Sequence, residues 1–305
     1  LQDIEDNTFR LFCRFDRDEV RQLLEYLRFP AVVILDNGGQ LSGEVVLLML
    51  LYRFHAAQPL LDAQRFFGVH YSLISRAVKW ATEHIYSQFR NKLNFDFNLV
   101  QARIQLYAMK IEAKSGGAVH NVWGFIDGTV RPTARPVRGQ REFYSGHKKA
   151  HGLRYQAITL PDGLIAQLWG PLGARWPDIT MVQESGLEQL LEENFPGYCL
   201  WGDAGYGLSE FIMRPFHRRT ATAAQLAWMA VLAPLRATIE WAFGLITRSF
   251  PFFSLKAGQK YLLSPVAKHY MVAAALTNCR TCLRGGNSIS KFFKLRPPTL
   301  EEYCR

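Results

Sequence analysis

Two aspartates in this chain each close a short apolar run. Residues 121–128 read N-V-W-G-F-I-D-G, so that Val122–Ile126 leads into Asp127; residues 198–202 lead in the same way into Asp203, followed by Ala204-Gly205. Apolar runs of this length bounded by glycine read as buried strands. An acid at the end of such a strand lies at the carboxyl edge of a sheet, where open α/β folds place their sites. Glu240 is the best third acid. It borders the apolar stripe of Leu235, Ile239, Ala242 and Ile246, one helical turn after Arg236. From there Arg236 is placed to orient a carboxylate or to contact phosphate. Three carboxylates are a hard oxygen donor set of the kind Mg²⁺ or Mn²⁺ prefers. Two such ions activate a water or hydroxyl and stabilise the leaving oxygen of an in-line phosphoryl displacement. A plainer reading stays open: Asp-Gly after a strand is also a simple turn, and Arg-x-x-x-Glu is also a surface ion pair.

The elements that must position these residues fall into two textures. Residues 1–112 read as helical throughout. One helix follows Asp16 and stops before Pro30, a second opens at Ser42-Gly43-Glu44 and runs to about Phe54, and a third runs from Pro59 to Phe67 and ends at Gly68. Ser72 then caps a helix carrying Ile74, Val78, Ala81 and Ile85 on one face. A short helix, a glycine turn and a capped helix over residues 59–90 match a helix-turn-helix, which would present Arg76 and Lys79 to DNA; an αα-hairpin inside a bundle has the same pattern. Lys114-Ser115-Gly116-Gly117 is the best boundary, giving a helical domain over 1–114, an α/β domain with a mixed sheet over 118–285 and a tail over 286–305. Within the second domain a strand over 153–160 turns at Pro161-Asp162-Gly163 into its partner over 164–169. A helix over 178–194, the strand to Asp203 and a helix over 232–250 follow.

Composition narrows the substrate. The 305 residues are 49% hydrophobic and 20% charged, a globular profile, with a net charge of +10. A polyanion is therefore the first partner to consider. The charge is concentrated: between Arg131 and Arg154 stand seven Lys or Arg against one acid, Glu142. Arg138, His147, Lys148 and Lys149 from that run suit phosphate contact, as a solvated loop also would. Arg214, His217, Arg218 and Arg219, between Asp203 and Glu240, could extend a DNA path. The five scattered cysteines argue for a reducing compartment; Cys279-x-x-Cys282 reads as helix packing or as half of a zinc site. Val45–Tyr52 is too short to span a bilayer. No signal-peptide pattern opens the chain, which begins on Leu1 rather than Met.

Five motifs in one order complete the reading: F-I-D-G-T at 125–129, Y-S-G-H-K-K-A-H-G at 144–152, P-D-G-L-I at 161–165, W-G-D-A-G-Y at 201–206 and R-x-x-I-E-W-A-F-G at 236–244. Together they resemble the DDE-type transposases of the PIF/Harbinger superfamily, across residues 120–255, and the helical region before them and the tail 295–303 look like that family too. The resemblance implies an RNase H-like fold, Mg²⁺ or Mn²⁺ (two ions), and DNA cleavage with strand transfer at transposon ends. It carries over Asp127, Asp203 and Glu240 as catalytic metal ligands. Asp178 keeps the acid of a family His-Asp pair but has Pro177 before it, so it is taken, with Arg236, as a supporting residue or a helix cap. DNA terminal repeats, a Myb-like DNA-binding partner, homo-oligomerisation and a nuclear location are implied on the same ground, although the chain shows no clear nuclear-localisation run. A host-adopted derivative that binds DNA or protein without cutting is the alternative.

Overall fold

The computed structural model describes residues 4–305 except 57, 58, 208 and 262. The chain opens with α1 (Asp6–Cys13) and α2 (Arg17–Tyr26), the latter begun by a reciprocal capping box between Asp16 and Glu19. A two-stranded hairpin, β1 (Val32–Ile34) with β2 (Gln40–Ser42), interrupts the helices. The all-helical expectation for residues 1–112 is corrected here: β-branched Val32, Val33 and Ile34 precede an Asn37-Gly38 turn, with Gly38 at φ +80. Next come α3 (Gly43–His55), α4 (Leu60–Phe67), α5 (Tyr71–Asn94) and α6 (Phe97–Ser115). Gly68 closes α4 in the left-handed conformation, and the expected face of α5 (Ile74, Val78, Ala81, Ile85) is buried. The cap of α5 is His70 rather than Ser72; the His70 ring accepts from the Ser72 backbone N–H at 3.3 Å.

The remainder supplies the sheet: β3 (Val122–Pro132), α7 (Gln140–Phe143), β4 (Tyr144–Ser145), β5 (Ala150–Thr159), β6 (Ile165–Gly173), α8 (Asp178–Ser185), α9 (Leu187–Asn194), β7 (Cys199–Trp201), β8 (Ile212–Met213), α10 (Ala223–Ser249), α11 (Val266–Leu283), α12 (Ser288–Phe293) and α13 (Leu300–Cys304). Across the sheet the order is β6, β5, β3, β7, β8, with β4 added beside the start of β5. The β3–β5 and β5–β6 pairs are antiparallel, whereas β3–β7 and β7–β8 are parallel. This is a mixed α/β architecture. Its apolar core is continuous from the N-terminal helices through the sheet to α11, so packing crosses the glycine boundary at residues 116–117. Cys279 and Cys282 lie buried on α11.

Three boundaries differ from expectation. The strand carrying Asp127 does not break at Gly128: it pairs with β5 through Pro132, with Asp127 opposite Ala157. Residues 178–194 are two helices, because Gly186 at φ +63 ends α8. The helix expected over 232–250 starts at Ala223, because a Thr222–Gln225 capping box nucleates it and Pro234 is accommodated inside. Among the described residues, α10 alone is long and apolar enough to cross a membrane by length and composition; its Leu235, Ile239, Ala242 and Ile246 stripe is buried within the core.

Candidate active site

The centre of the site is where β3 passes the end of β7. Parallel pairing of the two strands ends at Phe125 with Trp201, so Asp127 and Asp203 each lie two residues beyond the last paired position. Asp203 accepts from the Gly205 backbone N–H at 2.8 Å and so caps the single turn 204–206. Asp127 is only 14% exposed; its Oδ1 accepts from the Gly128 N–H at 2.8 Å and its Oδ2 from Arg236 Nη2 at 3.1 Å.

Asp178 enters from the first turn of α8. It does not cap that helix, whose N-cap is Pro177. Its carboxylate instead accepts from Arg154 Nη1 on β5 and lies against Gly128 and Gly205. A Cβ on Gly128 would fall far inside van der Waals contact with Asp178 Oδ1. Glycine is needed at 128 to admit that carboxylate, not to end a strand. Tyr206 reports the same convergence from below. Burial first, then the charges of Asp178, Asp127 and Asp203, push its hydroxyl well above its ordinary value, and the buried oxygen has no hydrogen-bond partner. Burial is also the main cause that raises Asp127 from 3.8 to about 6, reinforced by Asp203 and Asp178 and opposed by Arg236 and the Gly128 N–H.

Glu240 is placed differently. It is 63% exposed, and its Oε1 stands 3.5 Å from Arg236 Nη1. Arg236 therefore lies between Asp127 and Glu240, and the acids that gather closely are Asp127, Asp178 and Asp203. Among the described residues, no three His, Cys, Asp or Glu are spaced to hold one metal ion. The donors themselves suit a divalent cation: hard carboxylate oxygens from Asp127 and Asp203, the first of them largely buried and only partly offset by Arg236. Glu240, exposed and paired with Arg236, stands outside that pair of donors.

The basic residues lie further out. Arg138, His147, Lys148 and Lys149 are exposed on the excursion between β3 and β5. That excursion starts beyond Pro132, five strand residues past Asp127, or roughly 17 Å along β3. Arg76 pairs with Asp36 from the β1–β2 turn, and Lys79 borders a small cavity with Arg53 and Leu263. Sequence reasoning missed Arg154 as the partner of Asp178. It appears in the sequence only as one more charge in the basic run, because the pairing of β5 with β3 is what aims it.

Residues 126–278, half of the chain, match the family described as DDE superfamily endonuclease, and the chain belongs to that family. Comparison with curated proteins and with solved structures found no match. Membership points to nuclease- or transposase-type activity on DNA, and the family generally uses divalent metal ions.

Proposed function

We propose that the chain is a PIF/Harbinger-type DDE transposase that cuts and joins DNA at terminal repeats, on an RNase H-like domain, with Asp127, Asp203 and Glu240 as the metal-holding acids. The observation that carries this reading is the convergence of Asp127 and Asp203 beside Arg236, which also pairs with Glu240, within the matched region. A sheet of three antiparallel strands continued by two parallel ones supports the fold assignment. When bound, Mg²⁺ or Mn²⁺, as a pair of ions, would supply Lewis acidity for an in-line displacement at phosphorus.

The chain's own residues then have distinct tasks. Asp127 must be ionised to bind a cation, and its burial makes that ionisation depend on nearby positive charge. Arg236, released from Asp127, is one turn from Glu240 and can turn its guanidinium to the substrate phosphate. The Arg154–Asp178 pair fixes the backbone at Gly128 and Gly205, and with it the two flanking aspartates. Lys148 and Lys149 stand just before β5, more than roughly 23 Å along that strand from Ala157, the partner of Asp127, and would make sequence-independent phosphate contact away from the carboxylates. Arg76 and Lys79 form a second DNA contact on a helix-turn-helix. A Myb-like partner, homo-oligomerisation and a nuclear location complete the proposal by resemblance.

The test is cleavage of a terminal-repeat duplex in Mg²⁺ or Mn²⁺. Asp127→Ala, Asp203→Ala and Glu240→Ala are each expected to abolish it; full activity in any one removes that residue from the site. The position of Arg236 between two of the acids favours one second reading, a host-adopted factor that binds DNA or protein without cutting. Calorimetric metal binding together with end-specific nicking separates the two.

A further inference from the structure

A cavity of about 820 Å³ opens beside the carboxylates, between the segment following Asp203 and the first half of α10. That is within the size range of small-molecule sites. Its lining is mostly apolar, with Asp203 and Arg236 where it meets the site and His217, Arg218 and Arg219 at its rim. Leu226, Met229, Ala230 and Ala233 line it from α10. These residues fall at helical spacing on one face, and the same face continues into Arg236 and Glu240. The cavity and the site are thus two halves of one helix surface.

The outer wall is aromatic. Phe216, 45% exposed, packs on Trp228 with ring centroids 5.6 Å apart, and Trp228 packs on buried Trp201 at 5.1 Å. Trp228 is fixed further by donating its indole N–H to the Ala118 carbonyl at 2.8 Å. Immediately after Phe216 stand His217, Arg218 and Arg219, all exposed and all lining the cavity. Two features of α10 shape the cavity. Ala230 and Ala233 leave the helix face bare, and Pro234, lacking an N–H, cannot be the usual helical donor to the Ala230 carbonyl four residues back.

Apolar lining, an exposed ring and a cationic rim do not suit a paired duplex, which shows proteins chiefly its phosphates and groove edges. They suit one unpaired base, whose planar face stacks on aromatic side chains while its phosphates meet arginine. We propose that this cavity receives an unpaired nucleobase next to the cleaved phosphate, seated against Phe216, with Arg218 and Arg219 on its flanking phosphates. The proposal rests on the nuclease reading above and specifies the form of DNA that the site takes.

The probe is a 20-base-pair duplex with a three-nucleotide 3′ overhang, compared with the same duplex whose overhang is abasic; both carry the same phosphates. Affinity is measured by fluorescence anisotropy with the full chain in EDTA. The base-bearing overhang is expected to bind about tenfold or more tightly than the abasic one. In Phe216→Ala and in Ala233→Trp, which fills an exposed cavity position, the two probes should bind alike, at the wild-type abasic level. Equal wild-type affinities, a preference surviving in both variants, or no binding of either probe would overturn the proposal. Metal-dependent cleavage of a terminal-repeat duplex is scored separately. Cutting without base preference defeats the cavity assignment alone, whereas base preference without cutting defeats the nuclease reading alone.

Discussion

Asp127→Asn is expected to stabilise the metal-free protein while destroying its activity. The Asp127 carboxyl is raised from 3.8 to about 6, chiefly by burial. Because the folded value lies above the unfolded one, the protonated form favours the fold; that contribution is complete below about pH 4 and is lost as pH rises through about 6. Over that interval the wild-type protein forfeits roughly 3 kcal/mol. Asparagine, uncharged at every pH, does not. It cannot, however, return the charge-assisted bond that Arg236 donates at 3.1 Å, so 3 kcal/mol is the ceiling of the gain.

Urea titrations in EDTA from pH 4 to 8 give the measurement. The two proteins should be nearly equal at pH 4, separate between pH 4 and 6, and differ by a constant amount above pH 7, the variant being more stable. Saturating Mg²⁺ at pH 8 should close the gap by stabilising only the wild type, by about 2.7 kcal/mol at a concentration one hundred times the dissociation constant. A variant no more stable than wild type at pH 8, or a gap already present at pH 4, would refute the claim that burial of Asp127 outweighs its compensation by Arg236 and the Gly128 N–H.

Other outcomes follow from the same geometry. Gly128→Ala drives a methyl into Asp178 and should cost about 1–3 kcal/mol by urea denaturation, with loss of cleavage, because the Arg154–Asp178 pair must shift; an unchanged midpoint would show that the carboxylate has room. His269, buried with neither ring nitrogen partnered and packed on Phe54 at 5.6 Å, is lowered by burial from 6.5 to about 3. Its contribution is present above pH 6.5 and lost as pH falls, so His269→Leu should gain roughly 2 kcal/mol on wild type between pH 8 and pH 5; parallel pH–stability curves would count against it. Arg76→Ala with Lys79→Ala should lower the slope of log affinity against log salt by about 2 if each meets a phosphate, and an unchanged slope would retire the helix-turn-helix as a DNA contact.

Local chemistry made some elements legible in sequence. Gly68 ending α4, the Pro161-Asp162-Gly163 turn, and the buried stripe Leu235, Ile239, Ala242, Ile246 are each set by neighbours a few residues away, and each stands where expected. The differences arise where distant chain decides. Gly128 resembles a strand terminator, yet the β5 ladder carries β3 past it, and the missing Cβ serves Asp178, fifty residues on. Gly186 splits one helical pattern into two because a left-handed residue suits the turn between α8 and α9. The charge of Arg154 is plain in the sequence; its partner is not, since strand register alone aims it across the sheet.

The placement of Glu240 follows from electrostatics rather than from a missed motif. Asp127, Asp178 and Asp203 crowd one partly dry volume, and drawing in a fourth carboxylate would add like charge where ionisation is already unfavourable. Arg236 relieves Asp127, and Glu240, held through Arg236 at 3.5 Å, remains largely in water. With a divalent cation bound, the Asp127 charge would be offset without Arg236, and Glu240 would gain a partner on turning inward. Arg236→Gln tests this order of events. With the guanidinium gone, metal affinity measured by calorimetry at pH 8 should rise while cleavage falls, because the path to Glu240 is cleared and the phosphate contact is lost. If both fall together, Arg236 organises the acids rather than holding their place.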